Sequence, residues 1–180
     1  MGLQSMLYRA PFGIAGELSR NAAQSSVEPQ AMGATALAAY GIAVKMVAGL
    51  IVPLAASTDI VYGFLVRTFP TTDSTGNEGI GVAVPPLPNT GAIQQLNILR
   101  RGYLSVYVAE GAGSVAAGSA VWVRYVTNGA LVQGGIGGAT VASNNYSIGL
   151  TNAANLCYGT GAWFTGPVDA NGFAEIAFNL

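Results

Sequence analysis

Acidic side chains are the groups most able to do catalytic chemistry in this sequence, and they are scattered along it. The 180 residues include no histidine and one cysteine, Cys157. Histidine is the commonest general base and metal ligand, so the serines lack their usual activating partner. The eight carboxylates come within ten residues of one another only at Asp73/Glu78 and Asp169/Glu175. This distribution predicts a non-enzyme with no catalytic residue, no metal site and no cofactor.

Glycine-rich stretches could cradle a phosphate group, but the best of them lacks the necessary companions. The stretch "GSVAAGSA", residues 113–120, has Ser119-Ala120 where a phosphate loop needs Lys followed by Ser or Thr. A strand pattern follows it, so the helix N-terminus that attracts phosphate is also missing. These glycines predict turns.

The small number of charged residues indicates a surface that is covered by neighbouring subunits. The chain carries seven basic and eight acidic residues, whereas an average chain of this length has about 45 charged residues. A net charge of -1 predicts no nucleic-acid partner, because such a partner requires a basic stripe. The apolar stretch 33–56 contains Lys45 and Pro53 and is rich in Ala and Gly, which predicts buried structure and no membrane partner.

Hydrophobic periodicity predicts a chain composed mainly of β-strands. Residues 103–109 and 120–126 alternate between two faces and are rich in β-branched and aromatic residues. Further strands are predicted at 60–69, with Gly63 as a bulge or close approach, and at "IAVKMV", "LIVPLA", "AWF" and "FAEIAF". The last two flank a turn containing Asn171-Gly172, which indicates a hairpin. One weak helix is predicted at 31–40.

The beginning of the chain differs from the rest. The stretch "APFGIAGELSR", residues 10–20, fits neither a strand nor a helix of useful length, and a polar run follows it to residue 30. It cannot bury enough apolar surface to order itself, yet it carries several apolar side chains. We therefore predict an extended arm over residues 1–30 and a single β-rich domain over residues 31–180.

The order of these features resembles the structural cement, or decoration, proteins of tailed-bacteriophage capsids. The similar pieces are "APFGIAGELSR", "VYGFLVRTFP", "NILRRGYLSVYV", "VAAGSAVWVRY" and the tail "GAWFTGPVDANGFAEIAFNL". The resemblance implies an all-β fold, a single β-sandwich or β-barrel-like (β-tulip or jelly-roll-like) domain with an N-terminal arm. It also implies a non-enzymatic protein of the virion, made in the bacterial cytoplasm, that binds the major capsid protein lattice on its outer surface and stabilises it.

The resemblance further implies a homo-oligomer, with a trimer preferred over a dimer. The residues expected to contact the capsid or a neighbouring subunit lie in the arm and in the adjacent basic pair: Tyr8, Phe12, Ile14, Glu17, Leu18, Arg20, Arg100 and Arg101. A second hypothesis is a carbohydrate- or receptor-binding β-module that stacks ligands on Tyr103, Tyr107 or Trp122. Aromatic residues at strand spacing are more often part of a core or an interface, which favours the first hypothesis.

Overall fold

The computed structural model describes residues 14–20, 25–67, 95–138, 146–149 and 161–180, and these residues form an all-β structure. Its strands are β1 (Ser26–Met32), β2 (Ala43–Val47), β3 (Leu50–Pro53), β4 (Gly63–Val66), β5 (Gln95–Glu110), β6 (Trp122–Arg124), β7 (Ile136–Gly137), β8 (Tyr146–Gly149), β9 (Ala162–Phe164) and β10 (Phe173–Phe178). Over the described ranges there is no α-helix, and one turn of 3-10 helix spans Ala112–Ser114. The predicted all-β class with a barrel-like domain is confirmed.

Five strands close on themselves into a small barrel. Strand β1 pairs parallel with β3 and antiparallel with β5, and the antiparallel pairs β3–β2, β2–β4 and β4–β5 complete the ring. Closure gives each strand two neighbours and leaves no free sheet edge in the ring. These strands contribute one hydrophobic core, in which Ile51, Leu65 and Ile98 are almost fully buried.

Strand β5 is long enough to belong to the barrel and to a second set of strands. Residues 95–101 pair with β1 and β4, whereas residues 102–107 pair antiparallel with β10. The end of β5 pairs with β7, which continues to β6 and β8. Strand β9 pairs with β10 and meets the approach to β6 through the Ala120–Trp163 bridge. A single strand therefore connects the two parts of the sheet.

Strand β4 is buried on both faces and forms a wall between two hydrophobic cores. Phe64 and Val66 belong to one core and Leu65 to the barrel core. The ring of Phe64 meets that of Phe178 edge-on, with 5.0 Å between centroids. Gly63 lies directly against β5, where a side chain would meet the carbonyl oxygen of Leu99. The predicted close approach is confirmed, and two-sided burial explains the continuous apolar run.

The predicted hairpin near the end of the chain is also confirmed. Strands β9 and β10 pair antiparallel, and the connection between them is fixed by Asp169. Its Oδ1 accepts hydrogen bonds from the backbone N–H groups of Asn171 (2.9 Å) and Phe173 (2.8 Å). A short carboxylate that bonds the backbone two residues ahead is the usual reason for Asp in such turns.

One expectation of local structure differs from the structure. The predicted helix at 31–40 is wrong, because residues 31 and 32 end β1 and the remaining residues form turns and irregular chain. Tertiary packing of Leu37 and Tyr40 into the barrel core replaces the weak local preference for a helix. The boundary predicted at residue 30 falls within β1, so residues 26–30 are paired with β5.

Candidate functional site

The first element of the site is a strap, residues 14–20, which lies along β5 of its own chain. The N–H of Gly16 donates to the carbonyl of Ser105 (2.8 Å), and the N–H of Ser105 donates to the carbonyl of Glu17 (2.9 Å). Leu18 bridges to Leu104 and packs against the larger core. The strap is therefore ordered by contacts with β5 of its own chain, whereas its sequence predicted a stretch that cannot order itself.

Close approach explains the glycine in the strap. Gly16 has a φ of +85°, and a Cβ there would lie 2.8 Å from the Cβ of Tyr40. Both the left-handed backbone and the lack of space exclude a side chain. The carbonyl of Gly16 accepts a hydrogen bond from the N–H of Arg67 (2.8 Å), just after β4. The strap thus joins β5 to the end of β4.

Arg20 fastens the end of the strap to β10. Its Nη2 lies 2.7 Å from Oε1 of Glu175, and its Nε lies 3.2 Å from Oε2, so the contact is bidentate. Thr165 donates a third hydrogen bond to Glu175 (2.5 Å), and the guanidinium stacks 3.7 Å from the ring centre of Tyr103. Because Glu175 is only 2% exposed, this charge is held inside the molecule by a planar, two-pronged donor.

These contacts also set the ionisation of both groups. Burial raises the pKa of the Glu175 carboxyl. Hydrogen bonds from Arg20, Thr165 and Ser19 lower this pKa by more than burial raises it, so the net pKa lies below the ordinary value. The hydrogen bond to Glu175 raises the pKa of Arg20. Both groups are therefore charged at neutral pH, and their pairing is intramolecular.

Arg100 forms a second internal cluster with β1 and the approach to β4. Its guanidinium lies 3.6 Å from the ring centre of Tyr62 and donates to the carbonyl of the same residue. Its Nε is 3.4 Å from Oε2 of Glu28, which also accepts a hydrogen bond from the Tyr62 hydroxyl (2.8 Å). Arg100 is 6% exposed, so it fastens the barrel and presents no free charge to a partner.

The remaining predicted contact residues divide into two groups. Arg101, Glu17 and Ile14 are exposed, and Ile14 is 47% exposed. Arg101 and Arg100 alternate on β5, which explains why one points outward and the other is buried. Tyr8 and Phe12 lie outside the described residues. The structure therefore leaves Ile14, Glu17 and Arg101 exposed and turns Leu18 and Arg100 inward, while the partly exposed Arg20 is paired with the buried Glu175.

Two more ion pairs also hold the fold together. Lys45 Nζ lies 2.8 Å from Oδ2 of Asp59, which additionally accepts hydrogen bonds from the N–H groups of Ala55 and Ala56. Burial raises the pKa of Asp59, but the bonds from Lys45 and the backbone outweigh it and lower the net value. This ion pair accounts for a lysine in an otherwise apolar strand. Arg124 is fully buried, and its Nη2 lies 2.7 Å from Oε2 of Glu110.

The second element of the site is the uncharged segment, residues 111–138. The sequence contains one charged residue between positions 111 and 168, and this residue is Arg124. Since Arg124 is buried, the uncharged segment exposes no charged side chain. Its exposed residues include Ala116, Ala117 and the run 126–130, in which Val126 is 39% exposed. A surface of this kind is normal where neighbouring subunits cover it.

A cavity of about 170 Å³ opens beside this segment. Its lining includes Tyr40, Ile42, Tyr107, Leu131, Val132 and Ile136. Small-molecule sites usually measure about 300–1,000 Å³, so the cavity accommodates aliphatic side chains rather than a cofactor. Its one charged lining group is Arg124, which Glu110 neutralises.

The described ranges lack a metal-ligand cluster and a membrane-spanning helix. In the described ranges, no three His, Cys, Asp or Glu residues form a group that could hold a metal ion. Within these ranges, no helix is long and apolar enough to cross a bilayer.

Comparison with known proteins identifies the family. Residues 3–178 match the family model described as the XM1 gp53 minor capsid protein. The chain belongs to this family. A solved chain from "The capsid of Myoviridae Phage XM1" has the same fold, with a TM-score of 0.63 and 18% identity. The alignment covers 99% of this chain and 97% of that chain, and no curated protein matches.

Membership of the XM1 gp53 family supports a structural role in a phage capsid and a place in the virion. The predicted resemblance to accessory proteins of tailed-phage capsids is confirmed. Sequence reasoning missed both the pairing of the strap with β5 and the bidentate contact between Arg20 and Glu175. The only local signals were the apolar Leu18 and the basic Arg20 at even spacing, which fit one side of an extended segment.

Proposed function

We propose that this XM1 gp53 family member is a non-enzymatic cement protein that binds the outer surface of the assembled major capsid protein lattice and stabilises it. The observation that carries the proposal is the uncharged exposed surface of residues 111–138. Four basic side chains, Arg20, Lys45, Arg100 and Arg124, face acidic partners of the same chain. The uncharged segment beside them is left for contact with a neighbour.

The proposed mechanism is thermodynamic. A protein that binds the assembled lattice, and not the dissociated capsid protein, shifts the equilibrium toward assembly by mass action. The free energy of an apolar contact is roughly proportional to the apolar area removed from water, and an assembled lattice offers area on several subunits at once. Many identical sites on one shell add their contributions, so each individual contact can be modest.

Self-association is part of the proposal, with a trimer preferred over a dimer. An uncharged surface on a rotationally symmetric neighbour brings no like charges together, whereas a charged surface would. Static light scattering on the isolated chain at micromolar concentration tests this point. We expect a mass that is a multiple of 18.2 kDa, and a stable single chain at all concentrations would contradict it.

The start of the chain is proposed to reach the capsid from a fixed point on the domain. The strap holds residues 14–20, and Ile14, at its free end, is exposed. Tyr8 and Phe12 precede it and are the proposed anchors. Deletion of residues 2–13 should leave the fold intact and lower the occupancy of shells. Deletion of residues 2–20 should also destabilise the domain, because it removes Leu18 and Arg20.

The carbohydrate-binding hypothesis receives no support from the described geometry. One face of the Tyr103 ring is occupied by the guanidinium of Arg20. Tyr107 meets Phe173 edge-on with 5.6 Å between ring centroids and lines the cavity. Trp122 is half-buried on β6. We therefore carry only the capsid role forward.

Decoration of emptied, expanded shells tests the proposed function. Purified chain is mixed with shells that lack it or with free major capsid protein, and the bound fraction is measured by co-sedimentation. We expect saturable binding to shells and none to the free protein, together with a higher temperature of shell rupture. Equal binding to free capsid protein, or binding without any change in rupture temperature, would contradict the stabilising role.

A further inference from the structure

The β2–β3 hairpin ends in an apolar knob, residues 47–50. Val47 and Leu50 are directly paired across the turn, and they are 51% and 41% exposed. The turn residues Ala48 and Gly49 have φ values of +50° and +81°. Two-residue turns with this backbone strongly favour Asn-Gly or Asp-Gly. Alanine at the first position keeps the whole tip apolar despite an unfavourable backbone conformation.

The cavity described above is complementary to this knob in chemistry and size. Its lining includes Tyr40, Ile42, Leu131 and Val132, together with Tyr107, which is 53% exposed. At about 170 Å³ the cavity fits aliphatic side chains. Neither partner carries an unpaired charge, since the knob has none and Arg124 is neutralised by Glu110. Side chains that enter well-packed, desolvated pockets contribute most of the binding free energy of an interface.

The knob cannot fill the cavity of its own chain. Ile42, in the cavity wall, directly precedes β2, and Val47 is the last residue of that strand. Five residues of extended strand separate them, a distance of about 16 Å at roughly 3.3 Å per residue. The hairpin therefore carries its tip away from the cavity, and a contact between the two requires a second molecule.

We propose that the knob of one copy inserts into the cavity of a second copy of this chain. This inference rests on the self-association included in the proposed function and specifies its surfaces. Because knob and cavity are different patches, the contact is heterologous, and it closes into a ring when the rotation between copies permits. A closed ring of three copies is the trimer proposed above.

Directed cross-linking tests the inference on the full-length chain with Cys157→Ser as the background. Val47→Cys and Leu131→Cys are purified separately, then oxidised alone and as a mixture. We expect a cross-linked dimer in the mixture and little in either single variant. The double variant should form closed cross-linked oligomers. Ala116→Cys, at an exposed position outside both patches, is the matched control for random collision.

Each result decides for or against the inference. Strong cross-linking of Val47→Cys alone would indicate tip-to-tip contact, and a mixture no more reactive than the Ala116→Cys control would indicate no contact; both overturn the inference. If Leu131→Cys fails to fold by circular dichroism, Ala130→Cys at the exposed rim replaces it. Val47→Asp combined with Leu50→Asp should also reduce the light-scattering mass to that of one chain, and an unchanged oligomer would contradict the inference.

The outcome is separable from that of the capsid role. Cross-linking is measured on the isolated chain, whereas decoration is measured on shells. Normal decoration without knob-to-cavity cross-links would defeat this inference alone. Cross-links without any binding to shells would defeat the lattice-binding function and leave the subunit contact standing.

Discussion

The barrel with its strap differs from the uncharged segment in how it uses charged residues. In the barrel and strap, Arg20, Lys45 and Arg100 bond to acidic side chains on distant elements. In residues 111–138 the single charge, Arg124, is buried, and the exposed residues are uncharged. The contrast teaches that four ion pairs hold the described fold together, while the exposed surface of residues 111–138 carries no charge.

The largest expected effect comes from substitution of Arg124, the single and fully buried charged residue of residues 111–138. We expect Arg124→Ala to lower the free energy of unfolding by about 3–5 kcal/mol, since it leaves Glu110 without its partner and removes a buried side chain. Urea denaturation measures the loss. Arg124→Met combined with Glu110→Gln removes both charges and should cost much less. A loss for Arg124→Ala below about 1 kcal/mol would place it among ordinary surface changes.

The next largest loss in the free energy of unfolding is expected from a substitution in the strap. Arg20→Ala should cost about 1.5–3 kcal/mol, because the buried Glu175 carboxylate loses a bidentate, charge-assisted partner. Arg101→Ala is the matched control: it removes an exposed arginine from the neighbouring strand β5 and should change stability by less than about 0.5 kcal/mol. If urea denaturation shows equal losses for the two substitutions, the Arg20–Glu175 contact does not stabilise the fold more than an exposed arginine does.

Acid should weaken the barrel and strap in particular. The pKa of Glu175 lies below its ordinary value of 4.5, and that of Asp59 below 3.8. A carboxyl with a lowered folded pKa stabilises the fold above its ordinary pKa and loses that contribution as the pH falls toward the folded value. The melting temperature should therefore fall steeply below about pH 4.5. Glu175→Gln should flatten this slope, and an unchanged slope would assign acid sensitivity to other groups.

The smallest change in stability is expected for charged substitutions at exposed apolar positions, one of which should reduce binding to shells. Val126→Asp places a charge in the uncharged segment, and Ile60→Asp places one at a comparably exposed apolar position in the loop before β4. Both should change the free energy of unfolding by no more than about 0.5 kcal/mol. We expect Val126→Asp to reduce decoration of shells and Ile60→Asp to leave it intact. The reverse order would place the capsid contact on the barrel.

Local patterns predicted the strands, but not the contacts between distant ones. Alternation marked β5 and β6, a turn signal marked the β9–β10 connection, and the glycine in an apolar run marked the close approach at Gly63. These features depend on a few neighbouring residues. The helix expected at 31–40 failed because packing of Leu37 and Tyr40 overrides a weak helical preference.

The candidate site was less predictable for the same reason. Arg20 and Glu175 are separated by 155 residues, and only the tertiary path of the strap brings them together. Arg100 and Arg101 were expected to act alike, yet strand alternation turns one inward and the other outward. The prediction of a neutral, subunit-covered surface came from composition, and that property needs no knowledge of which residues meet.

The most direct test of the central claim is the salt dependence of shell decoration. Attraction between exposed charges is strongly screened when the ionic strength rises from about 0.05 M to about 1 M, whereas apolar burial is not. Co-sedimentation of the full-length chain with expanded shells should therefore show nearly the same occupancy at both salt concentrations. Release of most of the bound protein at high salt would show that charged groups make the contact, and it would contradict the account.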